Sequence, residues 1–274
     1  MRTSILFLAA ACVVATAALA ASSSSRRDQQ VLDRARQLQL EFRQGNHAAV
    51  GPLVATLEDA VVQSPNNAKL WEMLGFAQMS EQGSLISTPP DIPAMLAAGE
   101  RALQAFDRSL ALEGDNLLVH ASHGMAKMVV SQLKGDVPGM LAGIEEMNAA
   151  VRANPESTAL RLTRGFTIIH LPPGMRDTNA VIEDLQAILD TVPGGRYDDV
   201  LHVMLGDVYA ETGDPESARA EYAQVVGASA FAAGQARSRL AALEKGAVDP
   251  ADIAMVRMGT GARCHMCHAP GTDD

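Results

Sequence analysis

Cys264-His265-Met266-Cys267-His268 packs more chemistry into fewer residues than any other stretch of this sequence. Two thiols at this spacing can add across the two vinyl groups of a porphyrin. A histidine directly after the second thiol can reach the iron from the proximal side. Cys-x-x-Cys-His is the spacing at which haem c is attached. The expected cofactor is one covalent haem c, held by Cys264, Cys267 and His268, with His268 as the proximal iron ligand. No methionine or histidine follows His268 in the sequence, so a distal ligand has to come from elsewhere. His265 and Met266 lie between the attachment points and face poorly for that role. Met258 and Met255, just upstream, are candidates. So are His120 and His123 in "HASH", which share one helical face. These two histidines also occupy positions that usually face neighbouring helices, where a satisfied core histidine is the competing reading.

Other chemistries fit the tail less well. Structural zinc needs four converging ligands, and five adjacent residues cannot wrap one ion tetrahedrally without a second chain. A redox Cys-x-x-Cys usually sits in a βαβ context, and none is visible here. No nucleophile motif, phosphate loop or His-Glu-x-x-His occurs, so the expectation is a protein without catalytic residues or a small-molecule substrate. The net charge is −10, which repels nucleic acid and anionic membranes.

Cysteine usage ties the tail to the N-terminus. "ILFLAAACVVATAALA" is an apolar run of secretory-signal length ending in Ala18-Leu19-Ala20, a small-x-small cleavage pattern. Residues 1–20 are therefore expected to be a signal peptide cleaved after Ala20, with a periplasmic or otherwise extracytoplasmic destination. An uncleaved anchor is the alternative, although the run is short for a span. Of the 3 cysteines, cleavage removes Cys12. The remaining pair, Cys264 and Cys267, is then the whole thiol inventory of a chain in an oxidising compartment.

The elements that must carry this tail read as helices. Hydrophobic residues make up 47% of the chain and aromatic residues only 4%. Alanine, leucine and valine dominate, which favours packed helices over a β-sandwich. Residues 21–30 ("ASSSSRRDQQ") read as a polar tether. Helical periodicity then runs across residues 31–246, and residues 247–274 form the tail. Gly75, Gly124, Gly165 and Gly206 recur inside helical patterns, where each costs about 1 kcal/mol relative to alanine. A close helix crossing at each glycine would offset that cost.

Residues 205–226, "LGDVYAETGDPESARAEYAQVV", resemble the tetratricopeptide repeat (TPR). Leu205, Gly206 and Tyr209 match its first helix, and Ala218 and Tyr222 its second. Trp71, Leu74 and Gly75, with Ala102 and Phe106, match a second unit. Weaker units span about 31–65, 117–155 and 158–193, and residues 231–246 form an amphipathic helix able to cap the last one. Arg161 and Arg164 depart from the pattern, standing where it has apolar residues. Insertions are expected at 80–94 and 131–139.

The resemblance implies an all-α, helical-hairpin solenoid of about five repeats with a capping helix and a short C-terminal tail. It also implies protein partners bound through a concave surface. "WEMLGFAQ" with "AFDRSLALEGDN" is similar to units of envelope proteins that assist c-type cytochrome biogenesis. "ADIAMVRMGTGA" ahead of the cysteines resembles the opening of a c-type cytochrome domain. Together these imply an exported scaffold carrying haem c, engaged in electron transfer or docking within an envelope redox assembly. The alternative is a binding or chaperone-like factor, for instance in cytochrome c assembly, with no redox role of its own.

Overall fold

The computed structural model describes residues 26–42, 46–85, 90–169, 171, 173–191, 198–225 and 230–246. The tail 247–274, with Met255, Met258, Cys264, Cys267 and His268, lies outside the described residues, as does the expected signal at 1–20.

The helices run in antiparallel pairs. They are α1 (26–42) with α2 (Val50–Gln63), α3 (Ala68–Ser84) with α4 (Ile92–Leu112), and α5 (Leu117–Lys134) with α6 (Val137–Ala153). Then come α7 (Thr158–Ile168) with α8 (Thr178–Thr191), and α9 (Asp198–Glu211) with α10 (Pro215–Ala223). A last helix, α11 (Ala230–Glu244), packs on both α9 and α10. Consecutive pairs stack through α2–α3, α4–α5, α6–α7 and α8–α9. No strand occurs among the described residues. The result is an all-α solenoid of helical hairpins, in which each unit buries an apolar face only by meeting its neighbour.

Short polar residues start these helices. The side chains of Asn67, Asp91, Asn116, Asp136, Ser157 and Asp214 each accept a backbone N–H of the helix that follows. Gly135 and Gly213, at φ of 71° and 80°, end α5 and α9 in the left-handed conformation. Asp136 and Asp214 then cap the next helix at once, with Pro138 and Pro215 in its first turn.

The recurring glycines are helix crossings, as expected. A Cβ on Gly75 would lie 2.5 Å from Cε1 of Phe106, and one on Gly206 would strike the Tyr222 ring. Gly124 crosses backbone to backbone, its Cβ position 2.6 Å from the carbonyl oxygen of Gly143. Gly165 faces Asp184, whose Cβ would be 3.1 Å away. The first helix of each of these units thus meets its second helix at a single register.

One expectation needs correction. Residues 26–30 are not a tether. They are the first turn of α1, and Asp28 accepts from Ser64 Oγ and Asn67 Nδ2, both at 2.8 Å, which pins that turn to the α2–α3 junction. The extra length at 131–139 and at 80–94 is present and is taken up largely as helix, since α3 to α6 run longer than α9 and α10. Around 131–139 the chain still turns tightly at Gly135-Asp136, as it does at Gly213-Asp214.

Candidate functional site

The shared register shows which side chains occupy equivalent positions. Four residues before the glycine stand Trp71, His120, Arg161 and His202. One residue before it stand Leu74, His123, Arg164 and Leu205. On the second helix, one residue before the large apolar Phe106, Met147, Leu185 and Tyr222, stand Ala105, Glu146, Asp184 and Glu221. The second unit is apolar at the last two of these positions. In the third, fourth and fifth units a basic residue of the first helix meets an acid of the second.

His120 and His123 sit in the third of these units. His123 Nδ1 is 2.9 Å from both oxygens of Glu146, and its Nε2 is 3.3 Å from Asp107 on α4. His120 donates from Nε2 to the Gly114 carbonyl at 3.0 Å, and its Nδ1 is 3.6 Å from Glu146. Every ring nitrogen of the pair has a partner. Burial opposes ionisation of the Glu146 carboxyl. The hydrogen bond and charge of His123, with Lys127 and His120, outweigh it and hold that carboxyl below its ordinary range. The pair spaced for a ligand is therefore an interhelical latch joining α4, α5 and α6. The structure does not bring it forward as a haem ligand.

Arg161 and Arg164 explain their own departure from the repeat. Arg164 donates to Asp184 from Nε at 2.7 Å and from Nη2 at 2.8 Å. Arg161 adds a third bond to Asp184 at 3.1 Å. Asp184 is fully buried, so this charge is held entirely by guanidinium groups. Burial disfavours the Arg164 cation, yet the Asp184 hydrogen bonds and charge prevail and raise it above the usual arginine value.

The fifth unit carries the last of these pairs. His202, on α9, is 2.8 Å from Glu221 Oε2 through Nδ1. A carboxylate only accepts, so Nδ1 donates to it. Residue 196, six residues upstream of His202, lies outside the described residues. At the equivalent position Trp71, His120 and Arg161 each donate a side-chain N–H to the carbonyl six residues upstream, at 2.9, 3.0 and 2.6 Å. His202 was not singled out from sequence, nor were Glu146, Asp184 and Glu221. The signal that finds them is the glycine register, which puts an acid of the second helix opposite a base of the first.

Next to this site, Asp207 lies under α11. Arg239 donates to both of its oxygens, and the Tyr222 hydroxyl donates to Oδ1 at 2.7 Å. Burial first, then the Asp207 charge and hydrogen bond, push the Tyr222 phenol far above its ordinary value. The capping helix is thus held by a buried ion pair as well as by the apolar contacts of Ala232 and Ala236.

Helical pairs with a glycine crossing, a left-handed glycine-aspartate turn and a terminal capping helix find a counterpart among solved structures. The crystal structure of a thermophilic TPR protein from Thermus thermophilus superposes with a TM-score of 0.50 at 19% identity, over 77% of this chain and 97% of that one. The fold is TPR-like. No family model matches the chain, and no curated protein matches it. The first helices of the second, third and fourth units carry Phe76, Met125 and Phe166 at one repeat position, directly after the glycine, where the fifth has Asp207. All three are half-buried.

Proposed function

We propose that this chain is an exported, non-enzymatic protein-binding scaffold that carries one haem c on its tail. Binding is supported by the TPR-like fold, because helical-repeat solenoids present extended surfaces suited to protein partners. The half-buried Phe76, Met125 and Phe166 support the concave side, formed by the first helices, as the place where a partner docks. Haem attachment is carried by a single observation, the succession Cys264, Cys267, His268 in a chain with no other cysteine after Cys12. When bound, the group supplies a one-electron redox centre. The chain's own residues tether it through two thioethers and offer His268 to the iron. The solenoid then brings this centre to a partner in an envelope redox assembly.

The test is expression of the full chain in a host with cytochrome-maturation machinery. The expected product loses its first 20 residues and keeps a haem stain through denaturing electrophoresis. Cys264→Ala and Cys267→Ala should lose that stain. A colourless wild-type product with the expected peptide mass would leave the binding module alone, as an assembly factor without a redox role.

A further inference from the structure

We propose that His123 is a proton-operated clamp between the second and third repeat units, closed when its ring carries two protons and open toward α4 when it carries one. The inference does not depend on the haem reading and goes beyond the binding role. Its ground is the place of the ring between carboxylates on two different helices. Nδ1 lies 2.9 Å from both oxygens of Glu146 on α6, and Nε2 lies 3.3 Å from Asp107 Oδ1 on α4. A carboxylate only accepts, so each contact is favourable when the nitrogen facing it carries a proton. A neutral imidazole has one N–H. With that proton on Nδ1, Glu146 stays bonded, and the Nε2 lone pair then meets the charge of Asp107. Only the imidazolium joins α4, α5 and α6 at once.

The two arms differ in exposure, which decides the one that opens. The Glu146 side chain retains 22% exposure and that of Asp107 68%. Releasing Asp107 returns an already solvated carboxylate to water, whereas releasing Glu146 strands a carboxylate inside the helix pair. Against its burial, His123, Lys127 and His120 hold the Glu146 carboxyl below its ordinary range. It therefore stays ionised while an imidazole titrates, and the clamp is closed between the titration of Glu146 and that of the ring.

Neighbouring charges have partners of their own. His120 bonds the Gly114 carbonyl and leans on Glu146. On α4, Arg108 reaches Pro65 and Asn66, and Glu100 pairs with Lys134 at the far end of α5. Glu145 of α6 pairs with Arg152, and Glu72 of α3 with Lys69. On α7, Arg161 and Arg164 bond Asp184. That last pair is the internal comparison, because Arg164 and Asp184 occupy the positions of His123 and Glu146. A guanidinium keeps its charge throughout the imidazole range, so pH acts on the second and third units and leaves α7–α8 fixed. Phe76 on α3 and Met125 on α5 belong to the two units that the clamp joins.

The experiment is amide hydrogen exchange on the full-length protein at about pH 5.5 and about pH 8, either side of the ordinary imidazole value. Rates are corrected for the intrinsic pH dependence of exchange. Wild type should show about two- to five-fold greater protection at the acid value in the facing parts of α4 and α5, with α7–α8 unchanged. Asp107→Asn should abolish the difference, since an amide can donate to Nε2 of the neutral ring and a carboxylate cannot. His123→Arg should abolish it too, by keeping its charge at both values. His120→Gln should retain it. Should His123→Arg fail to fold, as judged by far-UV circular dichroism, Asp107→Asn still decides, because its side chain is exposed. Equal protection of wild type at the two values, or a difference that survives Asp107→Asn, would overturn the clamp. Loss of the difference in a folded His120→Gln would assign it to the neighbouring ring and overturn the clamp as well.

Discussion

At the scale of single residues, the molecule shows how costs are offset at one register. Gly75 gives up about 1 kcal/mol of helix propensity so that Phe106 can pack against its backbone. Gly75→Ala recovers that propensity but drives a methyl into a fully buried ring, and overpacking costs about 1–3 kcal/mol. Overpacking wins, so urea unfolding should show a net loss of up to about 2 kcal/mol, which Phe106→Leu in the same chain should partly relieve. Asp184 illustrates the opposite case, a buried charge kept because three guanidinium bonds satisfy it. Asp184→Ala should cost about 3–5 kcal/mol, because it strands the buried Arg164. Arg161→Ala should cost less, because Arg164 still holds the carboxylate. Glu146 adds a pH signature. Its carboxyl lies below the ordinary value, so its contribution is complete above the unfolded glutamate value and is lost as pH falls through the folded one. The groups facing it are His120, His123 and Lys127, with Asp107 beyond His123. The stability gap between wild type and Glu146→Gln should therefore narrow in urea titrations as pH falls through the ordinary glutamate range and below it.

At the scale of elements, the capping helix shows what a solenoid end requires. α11 covers the last pair with alanines and one arginine, and that arginine meets Asp207, an acid on the first helix of the unit it covers. Arg239→Ala leaves Asp207 beside the Tyr222 hydroxyl without its cation. It should destabilise α9–α11 by about 3–5 kcal/mol, with amide exchange in α9–α11 accelerated before that in α3–α6. The helical pairs themselves were legible in sequence because period, cap residues and glycine-aspartate turns all report local structure. The first turn of α1 was not, because its anchor is Asp28 reaching to Ser64 and Asn67, a long-range contact that composition does not encode. The acids Glu146, Asp184 and Glu221 escaped for a related reason. Each looks like an ordinary exposed helix acid until the pairing of helices fixes what lies opposite.

At the scale of the whole molecule, the proposed function gives the solenoid and the tail motif separate tasks, and that separation can be measured. The apolar clusters of the described residues run from Leu32 to Ala236, and a chain ending at Gly246 keeps all of them. A chain ending at Gly246 should therefore keep its helical circular dichroism and unfold within about 0.5 kcal/mol of wild type, as distant sites normally add independently. It should lose all haem. Replacing Phe76, Met125 and Phe166 together by serine should do the reverse. These half-buried side chains also pack on the edge of the apolar clusters, so far-UV circular dichroism must first show that the variant is folded. The haem stain should then survive while binding of a purified redox partner is lost. If the truncated chain bound that partner as tightly as wild type, the solenoid would supply the whole interface, and the haem would be its cargo. A truncated chain that bound more weakly, with the serine variant also weakened, would mean that partner recognition spans both parts. The two variants read out independently, because one removes the tail and leaves the stripe, and the other removes the stripe and leaves the tail.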